Sequence, residues 1–529
     1  MKIFDTIQLK KPRSSVFDLS HERKMTLNMG DLVPCLLQEV IPGDKFRVSQ
    51  EHLIRMHPML APLMHRVDVY THYFFVPNRI IWKEFEDFIT GGEDGKANPV
   101  FPTIGRTTGH NDIKLTMGRG QLADYLGFPS AQMSDIGDGS FKPISALPFR
   151  AYQTIYNEYY RDQNLIPKIP VITSSGNTQL SGTLGDPTDM RNFQLKKRAW
   201  EKDYFTSALP FAQRGDQLSI PLSGSANIVP QGPLQFNSST GTTAPTGNTV
   251  WQGTGGDTGY LADENSEIAY YKDGLKVDME DASASTINEL RQAFSIQKWL
   301  EKNARGGSRY IEQILTHFGI RSSDARLQRP EYLGGGKNPI IVSEVLQQSE
   351  TASTPLGTMA GHGISVGKSN QFSKRFEEHG FVMGIMSVLP RTAYYQGLPK
   401  IFKKFDKFDY YWPDFAHLGE QEVKQGELYY NLNDDEKNQK TFGYQPRYTE
   451  YRFMNDTVHG DFTGTLEFWH MARKFENEPA LNADFVQSNP DNRIFPVPIT
   501  DTTDKLLVQT YTNFKAIRPV AKYGNPGGI

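Results

Sequence analysis

Residues 285–336 read STINELRQAFSIQKWLEKNARGGSRYIEQILTHFGIRSSDARLQRPEYLGGG, and the chain is organised around them. They form the clearest helical passage in a sequence that otherwise reads as strands and loops. Ile287, Leu290, Phe294 and Leu300 recur at helical spacing, and Ala293 and Trp299 widen the same apolar stripe. Thr286, followed three residues later by Glu289, fits a capping box. Gly306-Gly307 ends the helix, because glycine enters the left-handed C-cap conformation without a steric penalty. Ser308 is placed to cap a second helix with Tyr310, Ile311, Ile314, Leu315 and Phe318 on one face, closed by Gly319. From Arg329-Pro330 to the glycines at 334–336 the chain reads as extended and irregular. Together these features predict a helical insertion, 285–336, that lies between two sets of strands and buttresses both.

On the N-terminal side, residues 26–48 predict two strands about a Pro42-Gly43-Asp44 turn. In VDVYTHYFFV, Val67 to Val76, both faces are semi-apolar, so the strand should be covered on both sides. Ile80 to Ile89 reads as a short amphipathic helix, with Ile81, Phe85 and Phe88 inward and Gly91-Gly92 as its stop. Residues 93–146 are loop-like. Pro148 opens a helix bearing Phe149, Tyr152, Ile155, Tyr156 and Tyr159, a face suited to a core or to an interface. Between 172 and 265 Ser, Thr, Gly, Asn and Pro dominate, as in SSTGTTAPTGNT at 238–249. Such a segment cannot supply a core and should form a surface protrusion. Asp273-Gly274 in AYYKDGLKV is a two-residue hairpin signal.

On the C-terminal side, strands are expected at 340–346, 381–389, 407–412, 461–471 and 506–516. In the last, Val508, Thr510, Thr512 and Phe514 alternate cleanly. Strands crowded near both termini predict a mainly β fold, a closed antiparallel barrel or sandwich with long loop and helical insertions. A jelly roll is the most economical version.

Composition limits the partners. The net charge of −3 excludes bulk nucleic-acid binding of the histone kind. Gly at 46 and Pro at 32 are about 15% of 529 residues, above the usual ~12%, which marks a loop-rich chain. Cys35 is the single cysteine, so no intramolecular disulfide can form and a reducing compartment fits. MKIFDTIQLKKPR carries no apolar secretory segment, and Phe381–Pro390, the longest apolar run, is too short for membrane insertion. Residues 1–25 form a basic arm that includes Lys10, Lys11 and Arg13. A basic arm on a near-neutral body can hold a polyanion on one face.

Several long stretches carry a family resemblance. NELRQAF, QKWLEKNARGG, RYIEQIL and SSDARLQRPEYLGGG lie between Asn288 and Gly336. LPFRAYQTIYNEYYRDQNL at 147–165, DYFTSALPF at 203–211, FDKFDYYWPDFAHLGEQ at 405–421 and FGYQPRYTEYRF at 442–453 join them. The chain closely resembles the major capsid proteins of the small single-stranded-DNA bacteriophages, the Microviridae, and within them the gokushovirus-type branch. The resemblance implies a viral eight-stranded antiparallel jelly roll and a T=1 icosahedral shell around a circular single-stranded DNA genome. It implies assembly in the host cytoplasm and residence in the virion, with internal scaffolding and DNA pilot proteins and a host surface receptor as partners. It does not select among Chlamydia-, Bdellovibrio- and Spiroplasma-type hosts, and it brings no catalytic residues.

The residues themselves predict no enzyme, cofactor or metal site. Gly367-Lys368-Ser369 lacks the first glycine of a phosphate-binding loop, where His362 stands. Glu377-Glu378-His379 and His459-Gly460-Asp461 lack a third partner, and His52 and His57 are not at the spacing of a helical zinc pair. Cys35 in VPCLL reads as a buried apolar side chain. Lys196-Lys197-Arg198 and Arg321, Arg326 and Arg329 suit subunit contacts as well as they suit an anion. The best chemical feature is PKIFKKFDKFDYYWPDF, Pro399 to Phe415, in which Lys400, Lys403, Lys404 and Lys407 alternate with Phe402, Phe405 and Phe408. Aromatics stack bases and lysines neutralise phosphates, the combination that holds single strands without reading sequence. The plainer reading puts the phenylalanines in the core and the lysines in water. Phe236 and Trp251, isolated aromatics in a polar segment, are expected to anchor host attachment. Two other classes share this composition: a phage tail or baseplate protein, and a carbohydrate-binding jelly-roll protein.

Overall fold

The computed structural model describes residues 14–106, 114–129, 141–181, 183–216, 227–230, 236–238, 250–253, 259–262, 269–271, 275–278, 287–346, 359–496 and 504–523. The chain divides into two compact units, Met1–Ala212 with Asn303–Ile529, and Gln213–Lys302.

The first unit is mainly β. Its principal strands are β1 (Ser15–Asp18), β2 (His21–Leu27), β3 (Val33–Val40), β4 (Lys45–Met56), β5 (Val67–Pro77), β6 (Glu331–Pro339), β7 (Ile341–Leu346), β8 (Met359–Lys368), β9 (Phe372–Arg375), β10 (Gly380–Pro390) and β11 (Leu506–Arg518). A seven-stranded sheet runs β1-β11-β4-β8-β7, with β2 also on β11 and β9 also on β4. A four-stranded sheet runs β6-β5-β10-β3. The turn at Gly43, with φ of 96°, sends the chain from the smaller sheet to the larger. Glycine meets that left-handed conformation without strain.

The sheets pack face to face. Ile54, Met56, Leu506 and Val508 meet Val33, Cys35, Val67, Val69 and Val388. Phe46, Val48, Phe514 and Ala516 meet Leu36, Tyr73, Phe75 and Val382. Burial alternates strictly along β11, as its sequence predicts. The far face of the smaller sheet is covered by helix α1 (Leu147–Ile155), whose Phe149, Tyr152 and Ile155 join Phe74, Val76, Met383 and Ile385. β5 is therefore buried on both faces, and the tyrosine-rich helix is core. The Tyr152 hydroxyl donates to the Leu32 carbonyl at 2.8 Å, so its burial leaves no unsatisfied group. Among the described residues no strand pairs with both sheets, so the ladder does not close into a barrel.

Several local expectations are corrected. Residues 80–89 are not one helix: Asn78–Ile81 ends at Trp82, whose extended backbone (φ −146°) breaks it before Phe85–Thr90. Phe88 is 37% exposed and not inward. Residues 93–146 are not uniformly loop, since Leu122–Leu126 buries Leu122, Ala123 and Tyr125. Residues 172–212 pack within the first unit through Leu180, Met190, Phe193 and Trp200. Neither 407–412 nor 461–471 is a strand; both are tight helical turns, Lys407–Asp409 and Pro413–Phe415 in one region, Gly460–Thr463 and Glu467–Trp469 in the other. Among the described residues the second unit has three short ladders: Asn227–Pro230 with Leu275–Asp278, Phe236–Ser238 with Ala269–Tyr271, and Val250–Gly253 with Gly259–Ala262. Asp273-Gly274, the expected hairpin turn, lies outside the described residues; Ala269–Tyr271 pairs with Phe236–Ser238 and Leu275–Asp278 with Asn227–Pro230.

The central helices form as read. Helix α2 is Ile287–Gly306 and α3 is Tyr310–Phe318, with Gly307 (φ 98°) between them and Gly319 (φ 69°) closing the second. Thr286 lies outside the described residues. The Ser308 hydroxyl donates to Gln163 Oε1 at 2.6 Å, and Arg309 takes the cap position instead. No residue of α3 is buried, and Tyr310 and Phe318 are more than 70% exposed. The stretch read as irregular after them is β6, paired to β5 from Glu331↔Phe75 to Pro339↔Asp68 with a bulge at Tyr332/Gly334.

Candidate interaction surface

Three tight helical turns build the segment from Pro399 to Phe415: Lys400–Lys403, Lys407–Asp409 and Pro413–Phe415. Pro399 presets the entry to the first and Pro413 opens the third. Asp409 Oδ2 accepts the amides of Phe405 and Asp406 at 3.0 and 2.9 Å, and the Trp412 indole donates to the Lys407 carbonyl at 2.7 Å. Local side-chain bonds of this kind compete with a strand ladder and here defeat it.

The turns point the two residue classes opposite to the plainer sequence reading. Lys400 and Lys404 both reach Glu450 Oε1 at 3.9 Å, and Gln421 donates to the other Glu450 oxygen at 2.6 Å. Lys404 is further held over the Tyr451 ring, 3.9 Å from its centroid, with its Nζ donating to the Tyr451 hydroxyl at 2.7 Å. Lys403 lies 5.0 Å from the Tyr430 ring centroid, and its buried Nζ has no hydrogen-bond partner among the described residues. Lys407 alone of the four is exposed. The aromatics face solvent instead: Phe402 is 61%, Phe405 89% and Phe408 50% exposed. Beneath them a cavity of about 840 Å³ holds Glu427, whose carboxyl is pushed up by burial while Tyr204 donates to it at 2.9 Å.

The other expected site residues fall as follows. Lys10, Lys11 and Arg13 lie outside the described residues. Phe236 sits opposite Tyr271 and Trp251 opposite Leu261 in the short ladders of the second unit. In the Lys196 group, Lys197 pairs with Asp31 at 2.8 Å, and the Arg198 guanidinium stacks 3.9 Å from the Tyr70 ring centroid. Burial lowers the Lys196 amine to about 8. Arg329 pairs with Asp324 and covers the Tyr159 ring. Lys368 pairs with Glu51 at 3.1 Å, and Ser369 Oγ accepts the Gln50 amide, so Gly367-Lys368-Ser369 is part of the sheet and not a phosphate cradle. Burial pushes the Cys35 thiol up to about 12, which leaves it unreactive. Among the described residues no group of three or more His, Cys, Asp or Glu could hold a metal ion, and no helix is long and apolar enough to cross a membrane.

Sequence reasoning found the 399–415 segment but not its orientation. It also missed the other exposed apolar face, on α3. Apolar side chains at 45–89% exposure can bind another surface; they offer no nucleophile, no base and no metal ligand.

Comparison with known proteins gives the context. A family model described as "Capsid protein (F protein)" matches residues 6–528. The chain is 35% identical to capsid protein VP1 of Chlamydia phage 1, over 99% of this chain and 97% of the relative. It is 36% identical to capsid protein VP1 of Bdellovibrio phage phiMH2K, over 97% and 95%, and 31% identical to capsid protein VP1 of Spiroplasma virus 4, over 98% and 95%.

Proposed function

This chain belongs to the phage capsid (F) protein family, and we propose that it assembles by packing the exposed phenylalanine face of Pro399–Phe415 against another copy of itself. Its role is that of a structural capsid subunit, and its place is the virion. The observation that carries the assembly reading is the inversion in that segment, with lysines drawn to Glu450 and phenylalanines exposed. A monomer gains nothing from such a surface, whereas a shell subunit must cover apolar area against its neighbours. The α3 face is a second and different apolar surface. Two unlike faces suit head-to-tail contacts that close into rings, and rings about symmetry axes build a shell.

The finer reading is a T=1 shell of jelly-roll subunits around a circular single-stranded DNA. The two-sheet sandwich supports the jelly roll, with long insertions after β5 and β10. Of the arm expected at 1–25, residues 15–18 and 21–25 are sheet, in β1 and β2; Lys10, Lys11 and Arg13, ahead of β1, and the exposed Lys407 are the groups we place toward the DNA. Lys400, Lys403 and Lys404 belong to the same expected set, but they contribute less because their amines are turned inward. The ladders of the second unit supply a surface protrusion for host attachment, with Phe236 and Trp251 on it. Internal scaffolding and pilot proteins complete the partners.

The test is the double variant Phe402→Ser/Phe405→Ser. Burying a phenylalanine contributes about 1.5–3 kcal/mol, so particle yield should fall more than about tenfold with the thermal melt of the subunit unchanged. Normal particle yield from a folded double variant would contradict the proposal.

A further inference from the structure

A cavity of about 770 Å³ opens on the first unit beside β5, β6 and the chain that leaves α1, and its size is that of a small-molecule pocket. Its floor is aromatic. α1 runs into a single π-helical turn, Tyr156–Tyr160, and this wider turn sets two consecutive side chains, Tyr159 and Tyr160, on the same cavity. Such turns inside helices are rare and concentrate at functional sites. His72 from β5 and Tyr332 from the bulge of β6 complete the floor, with the His72 ring 5.9 Å from the rings of both Tyr160 and Tyr332. The Tyr160 hydroxyl lies 2.8 Å from His72 Nδ1. Burial lowers the His72 pKa to about 4, so the imidazole is neutral and adds ring surface without charge. Tyr332 is 47% exposed, which leaves one ring of the floor open to a ligand.

The rim is cationic. Arg161, Arg198, Lys202, Arg305 and Arg309 line the cavity against Asp162, Glu201 and Glu312. All three carboxylates are engaged: Asp162 by Lys202 at 2.7 Å, Glu201 by Lys337 at 3.0 Å and by the Tyr70 hydroxyl, and Glu312 by Arg309 at 3.1 Å. Arg305 pairs with Glu420, and Glu158, near Arg161, faces Lys168 at 3.9 Å. Arg161 gives Nη1 to the Ile166 carbonyl at 2.7 Å, and Arg198 gives Nη1 to Ser387 Oγ at 2.9 Å. The Arg198 guanidinium also lies on the Tyr70 ring, 3.9 Å from its centroid. Stacking and the Ser387 bond fix its plane and leave the Nε–Nη2 edge, two parallel donors that match the two oxygens of a carboxylate.

We propose that this cavity binds a small aromatic carboxylate, with the Arg198 edge holding the carboxylate and Tyr159, Tyr160 and Tyr332 holding the ring. The site is independent of the shell reading. Its two halves select the ligand class. A neutral aromatic leaves the Arg198 edge without an acceptor, and an aliphatic acid forgoes ring-to-ring contact with the tyrosines. A phosphate monoester brings three oxygens and a second charge to a single two-donor edge.

The test is isothermal titration calorimetry of the full-length chain with indole-3-acetate. Arg198→Gln removes the fork and should weaken binding about tenfold or more. Tyr332→Ala, at a half-exposed position, should weaken it about threefold or more and keeps the proposal testable if Arg198→Gln fails to fold. Neutral indole should bind at least about tenfold more weakly than indole-3-acetate. Unchanged affinity in either folded variant would overturn the proposal, as would a wild-type chain that does not bind indole-3-acetate at about 10 mM. Tighter binding of phenyl phosphate or thymidine monophosphate than of indole-3-acetate would overturn it too.

Discussion

His52 and His72 show what burial does to single side chains in this sandwich. His52 is 3% exposed on β4, with Ser365 Oγ 3.3 Å from its Nε2, and desolvation lowers its pKa to about 4. His72 on β5, beside the Tyr160 hydroxyl at 2.8 Å, is lowered to about 4 by the same cause, with Arg198 adding to it. An unfolded histidine binds a proton near 6.5, so between about 6.5 and 4 the unfolded chain takes up protons that these two refuse. Their contribution to stability is complete above about 6.5 and is lost as pH falls toward 4, by up to about 3 kcal/mol for His52. The denaturation midpoint should therefore drop between pH 7 and 4.5, and His52→Gln should make that drop shallower. An equal drop in wild type and variant would show that His52 is not held neutral. The same scale explains the lysines of 400–404. A charge beside an aromatic ring and a half-buried carboxylate is better placed than one in water only if the partner is already fixed, and Glu450 is fixed by Gln421.

Among the elements, those with a continuous signal were legible and those defined by distant partners were not. β5, β10 and β11 could be read from runs or alternation of apolar residues, because burial on two faces or one leaves that trace in the sequence. α2 and α3 could be read from their glycine stops, but not their exposure, since an apolar stripe predicts that something covers it without saying what. β6 was hidden by its three glycines, which suggest a turn. The structure gives their reason: a Cβ at Gly335 would lie 2.5 Å from the Thr71 carbonyl oxygen and 2.6 Å from His72. Gly335→Ala should accordingly destabilise the subunit by about 1–3 kcal/mol. An unchanged melting temperature for Gly335→Ala would mean that β6 does not approach β5 so closely. The candidate surface was half legible. PKIFKKFDKFDYYWPDF announced itself as basic and aromatic, but Glu450, which draws in two of its lysines, lies far along the chain.

The first unit is a sandwich with exposed apolar faces outside its core, on the 399–415 turns and on α3. Family membership says that such a subunit is part of a capsid, and the position of its grease says where neighbours should touch. The account stands or falls on whether the phenylalanines of that segment are covered by another copy. Hydroxyl-radical footprinting with mass spectrometry, run on the free subunit and on assembled particles, measures this directly. The account predicts that Phe402, Phe405 and Phe408 are oxidised readily in the free subunit and are protected in the particle. Equal oxidation of these residues in both states would contradict it.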